Sequence, residues 1–478
     1  MKEGVLVVDV GTSKVHTNLI DISNGETLLN KTDLFQWLHP KEGWSEAEAN
    51  SEWEAAQNAV EFVVNGSKGK VEIIALALST IGAGLLMMDK HGDPVGNMIL
   101  PMDGRAKKEG QEIFEGLSNT NSANKNFGPK GISGMLPAAK VLWFKKNRPE
   151  DFKRIEIIGN IQHFFTWKLG FGPVTDHALA GGFYNAEAQV WDESLCEFLG
   201  FPVDKLGKLP MQADTFLGAT RTFGRVDLGK EIPVVLGTYD VAAGMVGLGS
   251  LPGSDAVLCD VTGTWEQIGF LASDINTVKQ NSPMLICGPL KFSYVVLGAL
   301  VSGPNLDWFI HTFFPDEGFA AINRLFDQYP LDGLNKVFMT KDINSGDGTI
   351  RGLSLTATVG DLFKCIIEGL TFPFVSTVKL METVNGHKFE SLRVGGGSAK
   401  SDKWSQLKSD IFDMKVEKVR NIEITSVGTA IIAAVGIGKY PDYQTAMNNM
   451  IGIEKTYTPD HALTVRYQER YQEFLERQ

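Results

Sequence analysis

The chain is poor in cysteine, in clustered histidine and in positive charge, and it has no hydrophobic run of membrane-spanning length. Its four cysteines, at positions 196, 259, 287 and 365, lie far apart and show no Cys-x-x-Cys spacing. That excludes a disulfide framework or a thiolate metal centre as the expected reading and leaves buried thiols in a reducing cytoplasm. The eight histidines form no cluster, His16 reads as a structural residue on a strand face, and no metal site made of protein ligands alone is expected. A formal net charge of −12 works against sequence-independent binding to nucleic acid or anionic lipid, because the phosphate field would have to be overcome without a basic patch. No apolar run approaches the roughly 18 residues of a membrane span. Met1-Lys2-Glu3-Gly4 enters a strand with no signal-peptide pattern. The expected protein is cytoplasmic and works on small polar molecules, with neither nucleic acid nor membrane as partner.

Several motifs are missing as well. Neither Gly-x-x-x-x-Gly-Lys-Ser/Thr nor a Gly-x-Gly-x-x-Gly after a strand occurs, so P-loop and dinucleotide-binding readings fail on the residues themselves. Gly-x-Ser-x-Gly and His-Glu-x-x-His are likewise absent, which removes the common hydrolase and zinc-protease readings.

What is present is a repeat at half-chain spacing. Val7-Val8-Asp9-Val10-Gly11-Thr12-Ser13 and Leu258-Cys259-Asp260-Val261-Thr262-Gly263-Thr264 are each an apolar run that reaches an Asp and breaks at a Gly flanked by hydroxyl residues. Each alone reads more readily as an ordinary hairpin turn. Twice in one chain, the pattern fits two turns that offer backbone N–H groups to the oxygens of one phosphate chain. With 478 residues and 43% hydrophobic content, two large domains are expected. Strand-like and helical segments alternate throughout, which predicts α/β layers. Glu3–Ile22 reads as two strands joined at Gly11-Thr12, Glu72–Ser79 as a buried strand, Ala138–Asn147 as a helix, and Pro233–Gly237 as a strand ending at Tyr239-Asp240. In the second half Ala256–Val261, Trp265–Ala272, Phe292–Leu297 and Ser391–Val394 read as strands and Leu362–Leu370 as a helix. The small-residue segment Val241–Gly249 suggests a hinge, and the expected domains are 1–243 and 244–478.

A larger set of residues resembles the FGGY carbohydrate kinases, which belong to the actin-like, ribonuclease-H-like ATPase superfamily. Met135-Leu136-Pro137-Ala138-Ala139-Lys140-Val141-Leu142-Trp143-Phe144-Lys145-Lys146-Asn147 is similar to the family's first signature. Gly348-Thr349-Ile350-Arg351-Gly352-Leu353, followed by Asp361-Leu362 and Cys365-Ile366-Ile367-Glu368, is similar to its second, with Cys365 where Ala or Ser is usual. Gly43-Trp44-Ser45-Glu46, Asp103-Gly104-Arg105, Thr175-Asp176, Thr238-Tyr239-Asp240 and Gly395-Gly396-Gly397-Ser398-Ala399 extend the resemblance over the whole chain. It implies two ribonuclease-H-like domains flanking a catalytic cleft, the first binding sugar and the second ATP.

Phosphoryl transfer to a sugar hydroxyl needs positioning, charge neutralisation and a carboxylate to take the proton. Asp240, at a strand's carboxyl end where open α/β sheets place their ligand sites, is the candidate base. Its alternative reading is a helix cap, and the resemblance favours the base. Asp9 would hold Mg²⁺, directly or through water. Gly11, Thr12 and Ser13 would meet the terminal phosphate region and Thr262, Gly263 and Thr264 the rest of the chain. Gly396, Gly397 and Ser401 would form the nucleoside platform. Thr80 and Gly82 are candidate sugar contacts, with Asp103 and Arg105 either contacts or a local ion pair. Xylulose-kinase-like members carry a Met-His pair where this chain has Ile81-Gly82-Ala83, and Thr262-Gly263-Thr264-Trp265-Glu266 is closer to the L-fuculose kinase branch. The expected reaction is therefore ATP- and Mg²⁺-dependent phosphorylation of a ketose, with L-fuculose leading and L-rhamnulose, xylulose or another linear polyol-like substrate behind it. An actin-like nucleotide switch without small-molecule transfer is the reading from another class, and a homodimer is possible.

Overall fold

The computed structural model describes residues 1–478 except 118–132, 255, 264, 282–285, 319 and 344–347. The chain forms two compact units. The first comprises Met1–Gly247, Leu271–Val295 and Thr425–Ile451, and the second Leu248–Phe270, Val296–Ile424 and Gly452–Gln478.

The first unit is built on a six-stranded sheet. Its strands are β1 (Lys2–Val10), β2 (Lys14–Asp21), β3 (Thr27–Leu34), β4 (Val71–Thr80), β5 (Phe216–Phe223) and β6 (Val226–Tyr239), in the spatial order β5-β6-β4-β1-β2-β3. β4 runs parallel to both β1 and β6, whereas β1–β2, β2–β3 and β5–β6 are antiparallel. Val5 to Val8 and Ala75 to Leu78 are fully buried, as continuous apolar runs at the centre of a sheet covered on both faces require. Helix α1 (Ala49–Ser67) packs on β2 and β3 through Trp53, Ala56, Val60 and Val63. Helix α2 (Pro137–Asn147) begins with a proline at its first position, where no backbone N–H is needed.

The second unit repeats the central device. β7 (Val257–Thr262) turns into antiparallel β8 (Trp265–Ala272) and lies parallel to β9 (Ser391–Gly396), which is parallel in turn to β10 (Lys415–Val419); β11 (Ile453–Tyr457) closes antiparallel on β10. Asp9 stands opposite Ser79 across β1 and β4, and Asp260 opposite Val394 across β7 and β9. The sequence repeat is thus a structural repeat, a hairpin whose first strand has a parallel neighbour.

The expected strands are all present, some longer than or offset from their patterns: Pro233–Gly237 lies in the second half of β6, and Phe292–Leu297 overlaps the strand Tyr294–Val301, which starts two residues later. The segment Val241–Gly249, read as a boundary suited to a hinge, holds the break between the two units, at Gly247/Leu248, but most of it is regular helix and not a loop. Asp240–Gly247 is a helix, α3, and every residue from Val241 to Gly247 is buried. Its small residues serve a close crossing with α4 (Ile424–Gly436): a Cβ on Gly428 would lie 1.8 Å from the Ala243 carbonyl oxygen. The four cysteines are free thiols, with Cys196, Cys259 and Cys365 buried and Cys287 half-buried. Among the described residues no helix is long and apolar enough to cross a membrane.

Candidate active site

In the first unit the candidate residues gather where β1, β4 and β6 end. Register places Val10 beside Thr80 and Thr80 beside Tyr239, so the β1 turn, the β4 end and Asp240 at the start of α3 are neighbours. The approach of β6 is irregular by design: pairing shifts between Val235 and Thr238, and Gly237 in that interval has a φ of 76°. The shift turns Thr238 inward, where its hydroxyl donates to Asp176 Oδ2 at 2.5 Å. Asp176 is itself buried, and burial pushes its carboxyl up to about 7. Asp240 is half-buried and its Oδ1 accepts from the N–H of Val241 at 2.8 Å. That donor is the adjacent residue rather than the second or third amide of the helix, so Asp240 is a poor N-cap. Burial and the nearby charge of Asp9 push the Asp240 carboxyl up to about 8. Burial of this carboxyl near the charge of Asp9 gives it a high proton affinity at neutral pH.

The first turn leaves donors unused. Gly11 N–H donates to Lys14 O at 3.0 Å and closes the turn, so Gly11 shapes it and offers no amide. Thr12 and Ser13 are half-buried, and their amides and hydroxyls donate to nothing among the described residues. Thr80 is fully buried and its hydroxyl is without a partner among the described residues. At Gly82 a Cβ would come within 2.6 Å of the Tyr239 ring; the glycine makes room for the aromatic that precedes Asp240.

Asp103 and Arg105 form an ion pair, Nη2 to Oδ2 at 2.7 Å, with a second contact from Nε to Oδ1 at 2.8 Å. Arg105 also reaches Glu46 Oε1 at 2.7 Å and lies 3.7 Å from the centroid of the Trp44 ring, while Asp103 accepts from Ser45 N–H at 2.6 Å. Two motifs some sixty residues apart therefore make one cluster. Of the two readings left open for the pair, the structure supplies the local ion pair. Lys140, in the first signature, was not singled out from sequence. Its buried ammonium donates to the carbonyls of Leu100 at 2.7 Å and Ala83 at 3.1 Å, and burial lowers its pKa to about 7. Ala83 has a φ of 55°, so Lys140 pins a strained residue of the Ile81–Gly84 loop to the segment leading into Asp103. Lys140→Met should raise the acceptor KM about tenfold while leaving the ATP KM within twofold, read from initial rates.

In the second unit Thr262, Gly396 and Gly397 are in contact. Gly397 N–H donates to Thr262 O at 3.0 Å, and Gly396 has a φ of 81° with its missing Cβ only 2.1 Å from the same oxygen. No other residue fits at Gly396. Gly397 has open space, the nearest neighbour of a Cβ at that position lying 4.0 Å away. Gly263 N–H is taken by Trp265 O at 2.8 Å, the counterpart of the Gly11 bond. Ser401 caps helix α5 (Asp402–Phe412) by accepting from Trp404 N–H at 3.3 Å. Thr264 lies outside the described residues.

Family models for the N-terminal and C-terminal domains of the FGGY carbohydrate kinases match residues 4–247 and 326–437. The chain belongs to the FGGY family of carbohydrate kinases. This sets aside the nucleotide-switch reading: the protein is a sugar kinase with ATP as phosphate donor, and a sugar is its small-molecule partner. It is 24% identical over 98% of its length to a xylulose kinase of Staphylococcus epidermidis, covering 95% of that protein, and 22% identical over 98% to a glycerol kinase of Lactococcus lactis, covering 96%. The fold matches that of ligand-bound xylulose kinase from Lactobacillus acidophilus with a TM-score of 0.84 at 21% identity, over 99% of this chain and 97% of that one. The family's two-domain α/β fold is the one expected from the sequence.

Proposed function

We propose that this sugar kinase phosphorylates a terminal hydroxyl of a ketose, with Asp240 as the general base. The observation that carries this is the Asp240 carboxyl, raised to about 8 by burial and by Asp9, at the carboxyl end of β6. A group that holds a proton this tightly is suited to receive one from a sugar hydroxyl at neutral pH. In this reading Asp9 holds Mg²⁺, directly or through water, as suits an ion that keeps several waters and takes few protein carboxylates, and when bound it would neutralise charge on the transferred phosphoryl. Thr12 and Ser13, with unspent amides and hydroxyls, take terminal phosphate oxygens, and Gly11 keeps their turn. The turn at Thr262-Gly263 takes the remaining phosphates, with Gly263 fixing its shape, and Gly396 and Gly397 carry the nucleoside while Ser401 fixes the helix behind them. Thr80 and the backbone at Gly82 meet the acceptor, and Asp103 and Arg105 hold that wall through their ion pair. The functional division is 1–243 for acceptor and base and 244–478 for nucleotide.

The acceptor is narrowed by the relatives. The expectation of L-fuculose has no counterpart among the proteins named above, two of which are xylulose kinases, so a ketopentose such as xylulose becomes the leading substrate. Without an imidazole at Ile81–Ala83, the site reads its ketose through Thr80 and backbone groups and discriminates modestly. ADP release over D-xylulose, L-xylulose, L-fuculose, L-rhamnulose and glycerol should give the highest kcat/KM with a xylulose, at least about fivefold above L-fuculose. Preference for glycerol would overturn the ketose reading, and preference for L-fuculose the ketopentose.

A further inference from the structure

Three charged side chains of the second unit have no route to water: Asp260 and Glu266 are 0% exposed and Lys408 is 1% exposed. Lys408 Nζ pairs with Asp260 Oδ2 and, at 2.7 Å, with Glu266 Oε1. Asp260 is on β7 and Glu266 on β8, where it faces Thr262 in register. One lysine from α5 therefore grips both arms of the hairpin that carries the second phosphate turn.

The same lysine reaches the other turn. Its Nζ donates to Ser398 Oγ at 3.1 Å, Ser398 Oγ lies 2.8 Å from Thr262 Oγ1, and Thr262 Oγ1 donates to Asp260 Oδ1 at 2.8 Å. A hydroxyl has one proton. Thr262 gives its proton to Asp260, so Ser398 must donate to Thr262, and Lys408 to Ser398. The ion pair of Lys408 with Asp260 closes the ring. Every hydroxyl orientation in it is set, which an apolar filling of the same volume would not do. It also follows that the Thr262 hydroxyl has no proton to give a phosphate. Burial works against the Lys408 ammonium, but the two carboxylates outweigh it and hold its pKa above the usual value.

We propose that the Asp260–Lys408–Glu266 cluster is a positioning device for nucleotide binding, locking the Thr262 turn to the Gly396-Gly397 turn through Ser398 without touching ATP. The proposal rests on the reading that these two turns take the nucleotide. Lys408 and Ser398 are then positioning residues whose loss weakens nucleotide binding and spares the acceptor.

Titration calorimetry with ADP, which needs no knowledge of the sugar, tests it together with the acceptor KM at saturating ATP. Ser398→Ala removes one hydroxyl and leaves both ion pairs. It should bind ADP at least fivefold more weakly than the wild type, with the acceptor KM within twofold. Lys408→Met, from a position too buried to meet the ligand, should weaken ADP at least as much. The double variant should be no weaker than Lys408→Met alone, because both changes open one ring. If Lys408→Met does not fold, Ser398→Ala decides alone. ADP binding by Ser398→Ala within twofold of wild type overturns the inference, as does an equal rise in the acceptor KM. A wild type that binds no ADP would instead refute the assignment of these turns to the nucleotide.

Discussion

Asp240→Asn should lower turnover by about 10²–10⁴-fold, the usual cost of removing a general base, and leave ADP affinity close to that of the wild type. The amide keeps the size of the carboxyl and its contact with Val241 N–H but cannot accept the acceptor's proton. The same variant should be more stable. Asp240 in the fold holds its proton up to about pH 8, against an ordinary value of 3.8, because its charged form is desolvated and lies within the field of Asp9. A group whose folded pKa is raised contributes stability that is fully present below its unfolded pKa and is lost as pH rises through the folded one. In the wild type without Mg²⁺, stability attributable to this group therefore falls between about pH 4 and pH 8. Asp240→Asn does not titrate, so its Tm advantage should be absent near pH 4, grow across that window and level off above it. Lost activity with gained alkaline stability is the mark of a catalytic charge held at a cost to the fold. A variant that keeps most of its turnover would remove Asp240 from the role, and a flat Tm difference would show that neither burial nor Asp9 raises its carboxyl in the fold.

Much of this was readable from local pattern. The β1–β2 and β7–β8 hairpins, the strands β4 and β9 beside them and the position of Asp240 all follow from apolar runs broken by Gly and hydroxyl residues, because those patterns record burial and turns within a few residues. Partners distant in sequence were not readable. Lys408 sits 148 residues from Asp260, and on a helical pattern it looks like any solvent-facing lysine; only the packing of α5 against β7 brings it to two buried carboxylates. The same holds for Trp44 and Glu46 around Arg105, where each motif was visible and their contact was not. At Val241–Gly249 the close helix crossing was not readable for a related reason: small residues mark flexible linkers and close crossings alike, and the backbone of Gly428 against Ala243 is needed to tell them apart. The returns of Leu271–Val295 and Thr425–Ile451 to the first unit leave no local signature at all.

Gly237→Ala should cost at least about 3 kcal/mol of stability and, in the fraction that folds, about 10²-fold in kcat. The glycine has a φ of 76°, which an L side chain adopts with strain, and a Cβ there would lie 1.7 Å from the Leu78 carbonyl oxygen and 2.7 Å from its carbon. Both atoms belong to the backbone of β4, so no side-chain rotation relieves the clash; β6 must move away from β4. What moves with it is the bulge between Val235 and Thr238, a device that in sheets re-aims the residues beyond it. Here those residues are Thr238, tied to Asp176 at 2.5 Å, then Tyr239 against Gly82, then Asp240. A displacement of about 1 Å at a reacting group is enough to lose about two orders of magnitude in rate. The loss should appear in kcat more than in the ATP KM, because the Thr262 and Gly396 turns belong to the other unit. Thermal denaturation and initial rates on one preparation check both halves. Wild-type kcat in a destabilised Gly237→Ala would mean that the bulge supports the sheet without aiming Asp240, and unchanged stability would mean that β6 and β4 do not meet as tightly as the Leu78 carbonyl implies.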